Sequence, residues 1–244
     1  MKLLARLAAV IGLAASAGPA AAAGVVRADP AVMEGAFRPG YTTRIPDRPG
    51  EVAFRVIELG RLKITRGRIV ATDPLVFLDA PAFTVTVPPG DYPVRLAYAV
   101  LAEDHYRVAL ARVDFSSEPA VRWEMALTPG QSLGELGRGE VFTYGVDSGT
   151  GSFGDADAFA WAEAQDDGEA LSDAWIAAGD AEGEARGIPH GFLGLPETGP
   201  RNNIAMFSSG WGDGGYASWF GYDAQGRIVA LVTDFAVVTA VTGL

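Results

Sequence analysis

Tyr92-Pro-Val-Arg-Leu-Ala-Tyr-Ala-Val-Leu101, then Ala-Glu-Asp104, then His105-Tyr-Arg-Val-Ala-Leu-Ala-Arg-Val-Asp-Phe115 is the stretch on which the fold turns. Leu96, Tyr98 and Val100 precede the polar Glu103-Asp104 pair, and Val108, Leu110, Ala111 and Val113 follow it. The pattern predicts two long strands joined as a hairpin, each burying one face. Upstream, 52–57, 59–64 and 68–72 read as strands, the last two joined by a tight turn at Arg66-Gly67. Phe83-Thr-Val-Thr-Val87 alternates with period two before Pro88-Pro-Gly90 stops it. Downstream, 121–127, 203–208, 216–222 and 227–233 read the same way, with Asp223-Ala-Gln-Gly226 closing a second hairpin.

Helix is expected only in the middle. Asp155 and Asp167 each open an Ala-rich run with acidic residues in its first turn, predicting helices over 155–163 and 167–178. The following 179–199 is polar and turn-rich, an excursion from the sheet. The fold class is therefore mainly β (α+β): antiparallel sheets in a sandwich- or barrel-like arrangement, with two short helices from an insertion.

The ends of the pattern set the domain organisation. Lys2 and Arg6, the apolar run 7–17 and Ala20-Ala-Ala-Ala23 read as a cleavable export signal over residues 1–23. Residues 24–50, with Pro30, Pro39, Pro46 and Pro49, read as a surface arm without helix or central strand. Residues 51–244 form a single β-rich domain, expected to be soluble and periplasmic or secreted. The chain has no cysteine, so its core must hold it without disulfides. Residues 24–138 balance 14 basic against 14 acidic side chains, whereas 139–244 carry three basic residues (Arg186, Arg201, Arg227) against 16 acidic. That field repels phosphate backbones and excludes nucleic acid as a partner.

Two Gly-rich stretches hold the candidate site: Tyr144-Gly-Val-Asp147-Ser-Gly-Thr-Gly-Ser-Phe-Gly-Asp155 and Ser208-Ser-Gly-Trp211-Gly-Asp213-Gly-Gly-Tyr216. They are expected to fold back onto one acidic locus. Asp147, Asp155, Trp211, Asp213, Tyr216 and Asp234 are the candidate binding residues, and Asp147, Ser148 and Asp213 the candidate catalytic ones. Converging carboxylates repel unless something neutralises them, and an oxygen-rich site of this kind suits calcium or magnesium. Each Asp also has a plainer role, accepting N–H bonds in its own turn or capping a helix, as Asp155 would. The aromatic cluster around Trp211 is likewise either a platform for a sugar or peptide or simply core.

Val146-Asp147-Ser-Gly-Thr150 looks like the loop of aspartic peptidases, but that chemistry needs two such loops and the chain has one. Ser148 and Ser209 lie in no nucleophile elbow, and two His without Cys make a usual zinc site improbable. There is no phosphate-binding or dinucleotide fingerprint.

Six ordered motifs together resemble a known family. They are Gly60-Arg-Leu-Lys-Ile64 with Asp73-Pro74; Val87-Pro-Pro-Gly-Asp-Tyr-Pro93; Arg107-Val-Ala109 with Trp123-Glu124; Gly145-Val-Asp-Ser-Gly-Thr-Gly151 with Asp155; Ser209-Gly-Trp-Gly-Asp-Gly214 with Tyr216; and Thr233-Asp-Phe235. From about Gly60 to Val237 the chain resembles DUF4241, a bacterial family of unknown function. The resemblance implies no activity and assigns no catalytic residue. The residues alone favour a non-catalytic structural or binding domain with an acidic Gly-rich locus. The alternative is a hydrolase using Asp147 and Asp213 with a divalent cation.

Overall fold

The structure, a computed structural model, describes residues 26–46, 49–188 and 190–243. The expected export signal lies outside the described residues. In chain order the first elements are β1 (Arg27–Ala28), α1 (Pro30–Gly35), β2 (Thr42–Arg44), β3 (Glu51–Ile64), β4 (Ile69–Thr72), β5 (Gly90–Ala102), β6 (His105–Asp114) and β7 (Arg122–Met125). There follow β8 (Tyr144–Val146), β9 (Thr150–Asp155), α2 (Ala156–Glu163), α3 (Gly168–Ala185), β10 (Leu193–Gly194), β11 (Ile204–Ser208), β12 (Gly214–Tyr222), β13 (Ile228–Asp234) and β14 (Val241–Thr242). With 41% strand and 16% helix the fold is mainly β, and its pairings are antiparallel.

The strands form a curled half-barrel sheet in the order β2-β3-β5-β6-β13-β12-β7, with β8 also on β12. A second sheet runs β10-β11-β9-β4, and β1 pairs with β14. The second sheet is a middle layer. On β11, Ala205 and Phe207 join the main core whereas Ile204 and Met206 pack with α2 and α3. On β4, Ile69 and Ala71 face the main core and Val70 faces the helices, as a period of two dictates.

The β5–β6 hairpin forms around Glu103-Asp104, with Leu96 opposite Ala111 and Val94 opposite Val113. The expectation of one buried face is too modest. Ala97, Ala99, Ala109 and Ala111 are buried along with Leu96 and Val113, so both faces are covered. The cover on the outer face includes the arm, whose reading must also be corrected. Asp29 accepts from the Ala31 N–H and Pro30 opens the first turn of α1, where its missing donor costs nothing. Val32, Met33 and Phe37 are buried. Part of the arm is therefore core, and the described residues hold three helices.

Charge fixes the arm in place. Arg112 is 3% exposed; its Nε donates to Asp114 (2.6 Å) and its Nη1 to Glu34 of α1 (2.8 Å). Asp114 also takes both arms of Arg95 at 2.6 and 2.8 Å, and Phe37 lies beneath both guanidinium groups.

Other expectations shift for identifiable reasons. The segments 52–57 and 59–64 are one 14-residue strand, β3, bulged at Glu58/Gly60. Residues 83–87 make no continuous strand. Phe83 N–H bonds to Ile69, Thr84 to Leu127 and Val87 to Gly67, so the segment changes neighbour at each step. The second helix continues to Ala185, because Trp175, Gly179 and Gly183 form one buried face. Gly179 and Gly183 look like breakers, but they let α3 lie directly against Phe192 and the Gly191 backbone.

Replacing Arg112 by Ala leaves Glu34 and Asp114 short of their buried partner. It should lower stability by about 3 kcal/mol, read from the urea midpoint at unchanged slope. Arg122→Ala, which removes an exposed pair with Glu124, should stay within about 1 kcal/mol.

Candidate functional site

The first Gly-rich stretch is a hairpin with a buried arm, and its turn is held from outside. Asp73 is fully buried. Its Oδ2 accepts from the backbone N–H of Asp147 (3.0 Å) and Ser148 (2.7 Å), and its Oδ1 from the Ser148 hydroxyl (2.8 Å) and Leu75 N–H (3.0 Å). Four donors satisfy a buried carboxylate, which would otherwise be costly. Asp73 reads in sequence only as the start of an Asp-Pro break, so its role was missed. Beyond the turn, β9 is buried throughout. Gly151 is required there, because an added side chain would press on the Phe235 and Phe207 rings and the Tyr144 hydroxyl.

The second stretch lies against the first. Ser209 N–H donates to the Gly149 carbonyl at 2.9 Å, and Ser208 pairs with Thr150. On the far side, Gly214, Gly215 and Tyr216 pair with Val146, Gly145 and Tyr144. The Ser209 hydroxyl (2.8 Å) and Tyr216 hydroxyl (2.7 Å) both donate to the Gly212 carbonyl. Burial, with the nearby Asp213 charge, raises the Tyr216 pKa against the hydrogen-bonding groups around it. The Ser148 hydroxyl is thus engaged by Asp73, and that of Ser209 within its own turn.

The acidic candidates do not gather at one point. Asp147 and Asp213 are exposed and lie next in sequence to Val146 and Gly214, the last pair of the ladder. Asp155 sits at the other end of β9, about 17 Å from Thr150 at 3.3–3.4 Å per residue. Its Oδ2 accepts from the N–H groups of Thr65, Arg66 and Gly67, and its Oδ1 caps α2 through Asp157. It is a structural knot. Asp234 pairs with Ala217, which places it on the face of the curled sheet opposite Tyr216 and Ser218. Among the described residues no group of three or more His, Asp or Glu is arranged to hold a metal ion.

The aromatic candidates divide. Tyr216, Trp219 and Phe220 are buried, whereas Trp211 is 49% exposed. Trp211 lies edge-on to His105 (6.3 Å) and beside the Arg107 guanidinium (5.7 Å).

Under the ladder that joins the two stretches is a cavity of about 390 Å³. Ala71 and Thr72 of β4 and Tyr144, Tyr216 and Ser218 line it. Phe77, Phe83 and Phe142 add three more rings, and Asp79 and Gln131 also line it. The hydroxyl of Ser218 is 2.7 Å from that of Thr233, and the pair is buried. The Tyr144 hydroxyl is buried without a hydrogen bond, because Thr233 faces it without closing one. Burial drives its pKa upward and the Asp73 charge adds to that, so it stays a neutral phenol. The Asp79 carboxylate makes no hydrogen bond or ion pair among the described residues, although it lines an aromatic cavity. A polar Thr72 or Ser218 inside an apolar strand was the sequence signal for this cavity. Nothing in the pattern says that they line one volume.

A family model described as "Protein of unknown function (DUF4241)" matches residues 62–233, well over half of the chain. No curated protein and no solved structure matches it. The matched span runs from the end of β3 to the penultimate residue of β13 and takes in both Gly-rich stretches and the cavity lining.

Asp234 carries a pH prediction. Burial pushes its carboxyl up to about 7, against the one N–H, from Ala236, that favours the charged form. An unfolded Asp titrates near 4, so the unfolded chain releases this proton first as pH rises. The stability contribution is complete below about pH 4 and is lost progressively toward pH 7. Asp234→Asn should therefore match the wild type near pH 4 and exceed it by an amount on the order of a few kcal/mol at pH 8. Urea midpoints over that range read the difference, and parallel curves would contradict it.

Proposed function

The chain belongs to the DUF4241 family, and from that premise we propose that it is an exported, non-catalytic binding domain taking a small molecule into the cavity beneath its two Gly-rich stretches. The observation that carries this reading is the cavity itself. Its volume of about 390 Å³ falls within the roughly 300–1,000 Å³ usual for small-molecule sites. Five aromatic rings and a few convergent polar groups line it, the composition such sites favour. Two of the rings are also held by strands: Tyr144 and Tyr216 are paired across the ladder, and the adjoining turn is locked by Asp73. A binding wall built on strands keeps its shape without a ligand present.

A hydrolase would rest on Asp147 and Asp213. These adjoin the last pair of the ladder and do not line the cavity. A general acid–base pair works best on a substrate shielded from water, and these two carboxylates are exposed. They fit better as an acidic rim. Export is inferred from residues 1–23, with a periplasmic or secreted destination. No helix among the described residues is long and apolar enough to cross a membrane.

Two measurements test this. A thermal-shift screen of sugars, amino acids, amines and nucleosides should yield compounds that raise the midpoint, because a ligand that binds only the folded state stabilises it. The response should vanish in both Phe77→Ala and Ser218→Val and persist in the Asp147→Asn, Asp213→Asn double variant. A silent screen, or turnover abolished by the double variant, would overturn the assignment. Expression of the full chain in a Gram-negative host, followed by fractionation and mass measurement, should find a product beginning near Gly24 outside the cytoplasm.

A further inference from the structure

The charges around the cavity narrow what can bind there. We infer that its ligand is a small organic cation, an amine or quaternary ammonium compound held among the aromatic rings and paired with the Asp79 carboxylate. This rests on the binding reading just given and adds the ligand class.

Three observations carry it. First, among the described residues the only ionised side chain lining the cavity is a carboxylate, because no Lys, Arg or His of theirs contributes to the wall. An anionic ligand would find no counter-charge. Second, that carboxylate is unengaged: Asp79 makes no hydrogen bond or ion pair among the described residues. By contrast Asp73, Asp155 and Asp223 are each saturated with donors. A carboxylate beside apolar rings gains most from a cation that it can meet at short range. Third, Phe77, Phe83, Phe142, Tyr144 and Tyr216 present five rings around one small volume. Aromatic faces carry a negative quadrupole that attracts ammonium groups, and quaternary ammonium ligands are bound in such cages.

The competing class is a neutral polyol, which would use the rings for stacking and Gln131, Thr128 and Thr143 for hydrogen bonds. It leaves the Asp79 charge unmatched, so the cation is favoured.

The test compares probes that differ only in charge. Calorimetric titration of the purified chain with tetramethylammonium, choline and agmatine should show binding that weakens as salt is raised. Dimethylbutanol, the uncharged carbon isostere of choline, should bind at least about tenfold more weakly, because it loses the cation–π and ionic attraction. Asp79→Asn, at an exposed position, should keep its circular dichroism spectrum and lose about tenfold in choline affinity while leaving dimethylbutanol binding unchanged. If the isostere or glucose binds as well as choline and Phe77→Ala removes it, the cavity stands as a site and the cation assignment falls. If no probe binds while the broader screen yields a cavity ligand, the cation assignment falls alone. If both are silent, the site falls with it.

Discussion

A carboxylate taken out of water must be given donors, and Asp73 finds three of its four in residues 74 and 75 positions further along the chain. That requirement orders the functional end of the molecule. The turn at Asp147-Ser148 is fixed to the end of β4, which fixes where β8 leaves and β9 returns. β8 then takes the free edge of β12 beyond the stretch that β7 occupies, so one strand edge serves two partners. The cavity is the space left between β4 and that ladder. The Ser218 hydroxyl in its lining is tolerated because it is hydrogen-bonded to the buried Thr233 hydroxyl.

The opposite face of the curled sheet is closed by another buried charge, Arg112, held between Asp114 of its own strand and Glu34 of the arm. The two arrangements solve the same problem differently. Asp73 is satisfied mostly by backbone donors and locks a turn. Arg112 is satisfied by carboxylates and attaches the arm to the sheet.

Much of the architecture was legible in the residues. The β5–β6 hairpin, the Asp223–Gly226 hairpin and both Asp-capped helices follow from local rules of alternation, turn chemistry and capping. Asp223 even carries its donors within its own turn, from Gln225 and Arg227. The errors have a common physical source. Phe83 to Val87 alternates like a strand but meets three different neighbours, and alternation reports burial rather than pairing. Pro30 speaks against a helix except at its first turn, where it is favoured. Gly179 and Gly183 break helices in isolation but are needed where α3 touches backbone. For the candidate site, the quoted stretches contain Tyr144 and Tyr216. Asp73, Phe77, Asp79 and Ser218 lie outside them, and only contact identifies them.

The sequence by itself determined the class of the fold, the positions of most strands, the Asp caps and the sign of the charge on the second half. Each is set by residues within a turn or two of one another, where side-chain period and propensity act directly. Tertiary structure alone decided that the two Gly-rich stretches share a ladder, that Asp155 and Asp234 lie elsewhere, and that rings from three separate segments enclose one volume with a free carboxylate. Those outcomes depend on register and layer order. They come from which apolar faces can be buried together over long chain separations, and a linear pattern does not carry that information.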